Sequence, residues 1–129
     1  MMNKIIRIGA MVAAVAVVLG AFGAHKLKEI LDEKSLANWE TGCRYQFYHA
    51  FALLFTGLLY AQDKLAAYKW SAYFFLAGIL FFSGSLYLLS LRNILNVNLL
   101  WLGPITPIGG LFFIIGWLRI VFAKEKKKL

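Results

Sequence analysis

Glu40, Arg44, Tyr45 and His49 fall within one short stretch of this sequence, with His25 upstream, and all five are of types that hold charge or move protons. On a continuous helix Glu40 and Arg44 are four apart and can pair, with Tyr48 one turn further along. Tyr45 and His49 form a second four-apart pair on another face, continued by Thr56. Because histidine titrates near physiological pH, one reading is a gate for a proton or small solute. The other is structural: each pair satisfies itself locally and serves helix–helix hydrogen bonding or anchoring at an interface. Depth favours the second reading. If this helix enters hydrocarbon near Tyr45, His49 lies only about 6 Å further in, where a ring still snorkels to the headgroups. An ionisable group at the bilayer centre would be functional by default.

Other chemistries find little footing. Cys43 is the single cysteine, so an internal disulfide and a cysteine metal cluster are excluded, and it stands six residues from His49 on a divergent helix face, out of reach of that base. There is no HExxH, no GxSxG, no phosphate loop and no carboxylate pair inside the apolar stretches. The expectation is a protein without catalysis, bound metal or cofactor.

The elements that must position these residues are apolar and long. The chain has 129 residues, 61% hydrophobic and 16% aromatic, with a mean hydropathy of +0.70, more than a soluble domain of this size hides in one core. Four apolar stretches, 5–24, 45–61, 69–91 and 99–123, each approach the roughly 20 residues that cross about 30 Å of hydrocarbon as helix. They are apolar all round rather than alternating, which argues against a barrel. The expected fold is therefore an all-α membrane protein: one four-transmembrane-helix bundle. Between spans 1 and 2, residues 25–42 place Leu27, Ile30, Leu31, Leu36 and Trp39 on one stripe among charged residues, as a short interfacial amphipathic helix would. Ser35 is the expected cap of its second piece.

Packing signals are concentrated in small residues. Gly9, Ala13, Ala16, Gly20 and Ala24 fall at helical spacing on span 1 and predict close approach of another helix, since van der Waals contact must supply much of the association in lipid. This places span 1 in the middle of the bundle. Gly78, Ser83, Gly84 and Ser85 thin one side of span 3, whose entry carries an aromatic belt of Tyr68, Trp70 and Tyr73. In span 4, Gly109 and Gly110 add room, while Pro104 and Pro107 predict a distorted first turn where N–H groups lack partners anyway.

The net charge is +8. With four spans, Lys4, Arg7, Lys64, Lys69, Arg119, Lys124, Lys126, Lys127 and Lys128 share one side, and Lys26, Lys28, Lys34, Arg44 and Arg92 the other, partly offset by Glu29, Asp32, Glu33 and Glu40. The positive-inside bias then puts both termini in the cytoplasm. A charge excess confined to helix ends speaks for a bilayer and not for nucleic acid. The first span also has a signal-peptide outline, with small residues near 21–23, yet its apolar run suits a retained anchor.

Three motifs, GAFGAHKLK at the end of span 1, WETGCRYQFYHAFALL entering span 2, and GPITPIGGLFFIIGW in span 4, occur in an order that resembles the small membrane proteins of the YgdD-like family, which includes the animal transmembrane protein 256. Matching positions are Gly20, Gly23, His25, Glu40, Thr41, Arg44, Tyr45, Gln46, His49, Pro107, Gly109, Gly110 and Trp117. The resemblance implies a multi-pass inner or plasma membrane protein of unknown function and brings no activity or cofactor. Topology also predicts that His25 and the 40–49 run share one membrane face, forming a polar cluster of His25, Glu40, Arg44, Tyr45 and His49. The partners expected are the lipid bilayer and either a second copy or a larger membrane complex, in which this chain is an accessory or self-associating component.

Overall fold

A computed structural model describes residues 2–125, and everything described is helix, turn or short connection. Four rods follow one another. The first, α1, is Met2–Phe22 prolonged by a π-helical turn Gly23–Leu27 and a last turn Lys28–Ile30. The second, α2, is one helix, Glu33–Asp63. The third, α3, runs Ala66–Gly78, widens into a π turn at Ile79–Ser83 and continues over Gly84–Leu95. After a 3-10 turn at Leu100–Leu102 comes α4, Ile105–Val121. The all-helical expectation holds. The lysines Lys126, Lys127 and Lys128, counted above toward the charge bias, lie outside the described residues.

Local chemistry sets the breaks. Asp32 caps α2, its carboxylate accepting from the Ser35 backbone N–H at 2.8 Å and the Ser35 hydroxyl at 3.0 Å. Ser35 is therefore the capped residue and not the cap, because the first free N–H groups of α2 are those after Asp32. At the far end Lys64 adopts the left-handed conformation (φ 54°) and returns its N–H to Tyr60; Asn96 (φ 52°) closes α3 in the same way onto Arg92. Pro104 and Pro107 stand at the start of α4, where a missing donor is harmless, and the chain there is indeed irregular.

Two expectations are corrected between α1 and α2. No separate interfacial helix exists: residues 25–30 prolong α1, the chain bends at Leu31 and Asp32, and 33–44 are already the first turns of α2. The apolar stripe assigned to the bilayer surface is covered by protein at Leu27 and Trp39, while Ile30 stays exposed. Leu27, Trp39 and Cys43 form a buried cluster, with Leu19, Leu31, Tyr87 and Leu91 around it.

The rods pack antiparallel. Gly9 of α1 lies against Leu53 and Ala50 of α2, Gly23 against Trp39, and Gly57 against Ile5 and Ile6. Along α3 and α4, Gly78 meets Phe113, Gly116 meets Phe75, Gly109 sits on the backbone of Phe82, and the hydroxyls of Ser85 and Thr106 bond at 2.6 Å. The main core, Ile5, Ala52, Leu53, Ala72, Phe75 and Phe113, draws on all four rods.

α2 is the hub, touching α1 and both segments of α3, whereas α1 packs chiefly on α2 alone. Span 1 is thus peripheral rather than central, because its small residues serve a single neighbour. Gly9 and Ala16 are buried and Ala13 half-buried, but Gly20 has nothing within 4 Å of where a Cβ would stand, and Ala24 is exposed. Gly9, Ala16 and Gly23 recur seven apart on one face of α1, so Gly23 takes the place expected of Ala24. On α4, likewise, Gly109 makes the close contact, and Gly110 only an ordinary one with the Phe82 ring.

Three rods, Lys4–Ile30, Ala66–Leu95 and Leu100–Val121, are long and apolar enough to cross a membrane. At 31 residues α2 is about 46 Å long, but its first turns carry Glu33, Lys34, Glu40 and Arg44, which sets it apart in composition.

Candidate functional site

The buried face of α2 is built from residues that alternate four and three apart: Gly42, Gln46, His49, Leu53 and Thr56 are all buried. That spacing is one face of a helix, so two strongly polar side chains are directed into the bundle and must find partners there.

His49 is 4% exposed. Its Nδ1 lies 2.7 Å from the Tyr45 carbonyl oxygen and its Nε2 3.1 Å from the indole Nε1 of Trp117 on α4. A carbonyl only accepts and an indole N–H only donates. The ring is therefore the neutral Nδ1–H tautomer, giving to Tyr45 and receiving from Trp117. Phe113 stacks on it at 3.5 Å between centroids and 9° between planes, and Phe75 closes another side at 5.5 Å. Neither nitrogen retains a lone pair or proton for a solute.

Gln46, also 4% exposed, is the second anchor. Its amide nitrogen donates to the Val12 carbonyl of α1 at 2.9 Å, and its amide oxygen accepts from the Tyr87 hydroxyl of α3 at 2.6 Å. One side chain thereby ties three rods. Trp39 adds a further link, its indole donating to the Leu19 carbonyl at 2.9 Å while its ring packs on Tyr87 at 4.7 Å. Ser83, inside the π turn of α3, donates to the Gly42 carbonyl at 2.7 Å. Among the described residues the one buried side-chain polar atom without a partner is the Ser71 hydroxyl.

Of the five residues expected to cluster, Tyr45 and His49 come together, their rings stacked at 6.3 Å. Glu40, Arg44 and His25 are exposed, and among the described residues no side-chain hydrogen bond joins them to His49. Contrary to the expectation from depth, His49 does not snorkel, because its face of α2 turns inward onto α4. Beside it a lateral groove of about 760 Å3 opens between α2 and α4, lined by Tyr45, Tyr48, Phe82, Leu111, Ile114 and Trp117. Among the described residues no group of three His, Cys, Asp or Glu side chains is placed to hold a metal.

Sequence reasoning singled out Gln46 and Trp117 only as family positions, read Ser83 only as a small packing residue, and passed over Tyr87 and Phe113. The four–three spacing through Gln46 and His49 was the available signal, since a polar residue on the apolar face of a membrane helix must be bonded to another helix.

A family model described as "Protein of unknown function (DUF423)" matches residues 19–110, most of the chain and all of the Gln46–His49 face. The chain belongs to the DUF423 family. Its relatives within DUF423 include a "UPF0382 membrane protein" of Staphylococcus epidermidis, 44% identical over 97% of this chain and 98% of that one. A second, "UPF0382 membrane protein YwdK" of Bacillus subtilis, is 44% identical over 97% and 98%, and one from Haemophilus influenzae is 42% identical over 99% and 98%. The family resemblance read from the three motifs is thereby established, as is the class: a small membrane protein of unknown function. No solved structure matches the chain.

Proposed function

We propose that this DUF423 protein is a four-crossing component of the cell membrane, with both termini cytoplasmic, that acts without catalysis by associating with a second copy of itself or a larger membrane complex. The observation that carries the reading is the outer face of α1. Ala10, Ala14, Val17, Ala21 and Ala24 are all exposed and recur four and three apart, with Gly20 open beside them. This is the spacing of a helix–helix seam, made of the small residues that let backbones approach in lipid. α2 uses a different face, that of Gly9, Ala16 and Gly23.

A fourth crossing is supported by the antiparallel packing of α2 against α1 and α3 over most of its length, and by the burial of its polar groups away from lipid. Cytoplasmic termini are supported by the positive-inside bias at the end bearing Lys4, Arg7, Lys64, Lys69, Arg119 and Lys124. Closure of both His49 nitrogens removes the reason for a carrier or channel reading.

Oxidative crosslinking in native membranes tests the association. Ala14→Cys in a Cys43→Ser background should give a disulfide-linked dimer or a defined larger adduct, whereas a cysteine at Leu80, on exposed α3, should not. A strictly monomeric product from Ala14→Cys would defeat the proposal.

A further inference from the structure

α1 and α3 begin at the same end of the molecule and both rest on α2, but α3 leans toward α4 through its glycine–phenylalanine contacts. A cleft of about 260 Å3 is left between the first turns of α1 and α3. Its walls are Ile5 and Ile8 on one side and Ala72 and Leu76 on the other, with Leu53 of α2 at its base. Lys4 and Lys69 line the same cleft from the first turns of their rods, and among the described residues no carboxylate pairs with either ammonium within 4.0 Å. Trp70 and Tyr73, exposed and edge-on to each other at 5.5 Å, mark this level as the membrane interface.

The cleft therefore has two positive charges over an apolar slot, the inverse of a molecule with one anionic end and one hydrocarbon chain. We propose that it holds a single anionic phospholipid, its phosphate between Lys4 and Lys69 and one acyl chain against Ile5, Ile8, Leu53 and Leu76. Size argues against a protein occupant, because a helix is about 10 Å across with its side chains and does not enter 260 Å3. Free phosphate would leave the apolar walls uncovered. Basic pockets between membrane helices suit such headgroups, and the basic end of this molecule carries only Asp63 and Glu125 to oppose its cations. The inference stands apart from self-association, which uses the outer face of α1.

Native mass spectrometry of the full chain in mild detergent, titrated with phosphatidylglycerol, phosphatidylcholine or inorganic phosphate, provides the test. Phosphatidylglycerol should bind as one tight equivalent, phosphatidylcholine much more weakly, and phosphate alone without measurable occupancy. The double variant Lys4→Gln, Lys69→Gln should bind phosphatidylglycerol about twenty-fivefold more weakly, from roughly fivefold per lysine. Lys64→Gln, Arg119→Gln, which removes the same charge from the same end outside the cleft, should bind as wild type. Ile8→Trp, which crowds the slot and keeps both lysines, should also weaken binding. Equal affinity for the two lipids, wild-type affinity in the Lys4, Lys69 variant, or an equal loss in the Lys64, Arg119 control would each overturn the site.

Discussion

The α3–α4 seam and the α1–α2 seam face the same problem, bringing two rods together where lipid offers no hydrophobic drive, and they meet it differently. Along α3 and α4 the fit is chiefly steric, with the Ser85–Thr106 hydroxyl pair as a side-chain bond beside it. Phe113 occupies the space over Gly78, Phe75 that over Gly116, and Gly109 lies on the Phe82 backbone. Along α1 and α2 the contacts of Gly9 and Gly57 are supplemented by Gln46 and Trp39 donating into the backbone carbonyls of Val12 and Leu19. The first seam fixes which side chains stand opposite one another. The second adds to its side-chain packing two bonds that do not depend on which side chains Val12 and Leu19 carry. Shape therefore locks α3 to α4, and hydrogen bonds to the main chain hold α1.

Substitution at Gly109 should have the largest effect on this contrast. A side chain there collides with backbone, which does not yield, so Gly109→Val is expected to destabilise by about 3 kcal/mol, at the upper end of overpacking costs. Gly110→Ala, which meets Phe82 only at ordinary contact distance, should change stability by less than about 0.5 kcal/mol. Denaturant unfolding in micelles measures both, and equal losses would erase the steric account of this seam.

His49 comes next. His49→Leu leaves the Trp117 indole without its acceptor and forfeits the stack on Phe113, a loss of about 1–2 kcal/mol. Adding Trp117→Phe should recover part of it. A double-mutant cycle with no coupling would show that the bond contributes nothing.

Gln46→Leu probes the other seam. Two buried bonds are lost, one to α1 and one to Tyr87 of α3, each worth about 0.6 kcal/mol in a membrane interior, and the disturbance should centre on those partners: protection falls along α1 and around Tyr87 while α4 keeps its own. Uniform loss across the bundle would mean that the two seams are not separable.

Least in size is the acid response of the bend between the seams. The Ser35 N–H, then its hydroxyl, hold the Asp32 carboxyl below the usual carboxylate range. A lowered folded value means that the stabilisation is present above the unfolded value, about pH 3.9, and is lost as pH falls through the folded one. Wild type should therefore weaken relative to Asp32→Asn on acidification below about pH 4, with a constant difference above pH 5; a gap unchanged by acid would contradict this.

Much of the fold could be read directly, because all-round apolar runs in 5–24, 69–91 and 99–123 have one structural solution in lipid. The site was harder. His49 was weighed by its depth along α2, a one-dimensional measure, whereas its role is set by the direction it faces, and Trp117 lies far away in sequence. The stripe through Leu27 and Trp39 was visible, but amphipathicity alone does not distinguish a covering of protein from a covering of headgroups. The α1 contact falls on Gly23, seven beyond Ala16, and not on Ala24, a choice that small-residue composition alone does not signal.

Since Gln46 and Trp39 reach for carbonyl oxygens whose amino-acid identity is immaterial, the leading segment can insert as an ordinary hydrophobic anchor while the remainder is still on the ribosome. When the following segment emerges it brings both donors with it. α1 thus pairs with α2 without needing a buried polar side chain of its own at these two bonds.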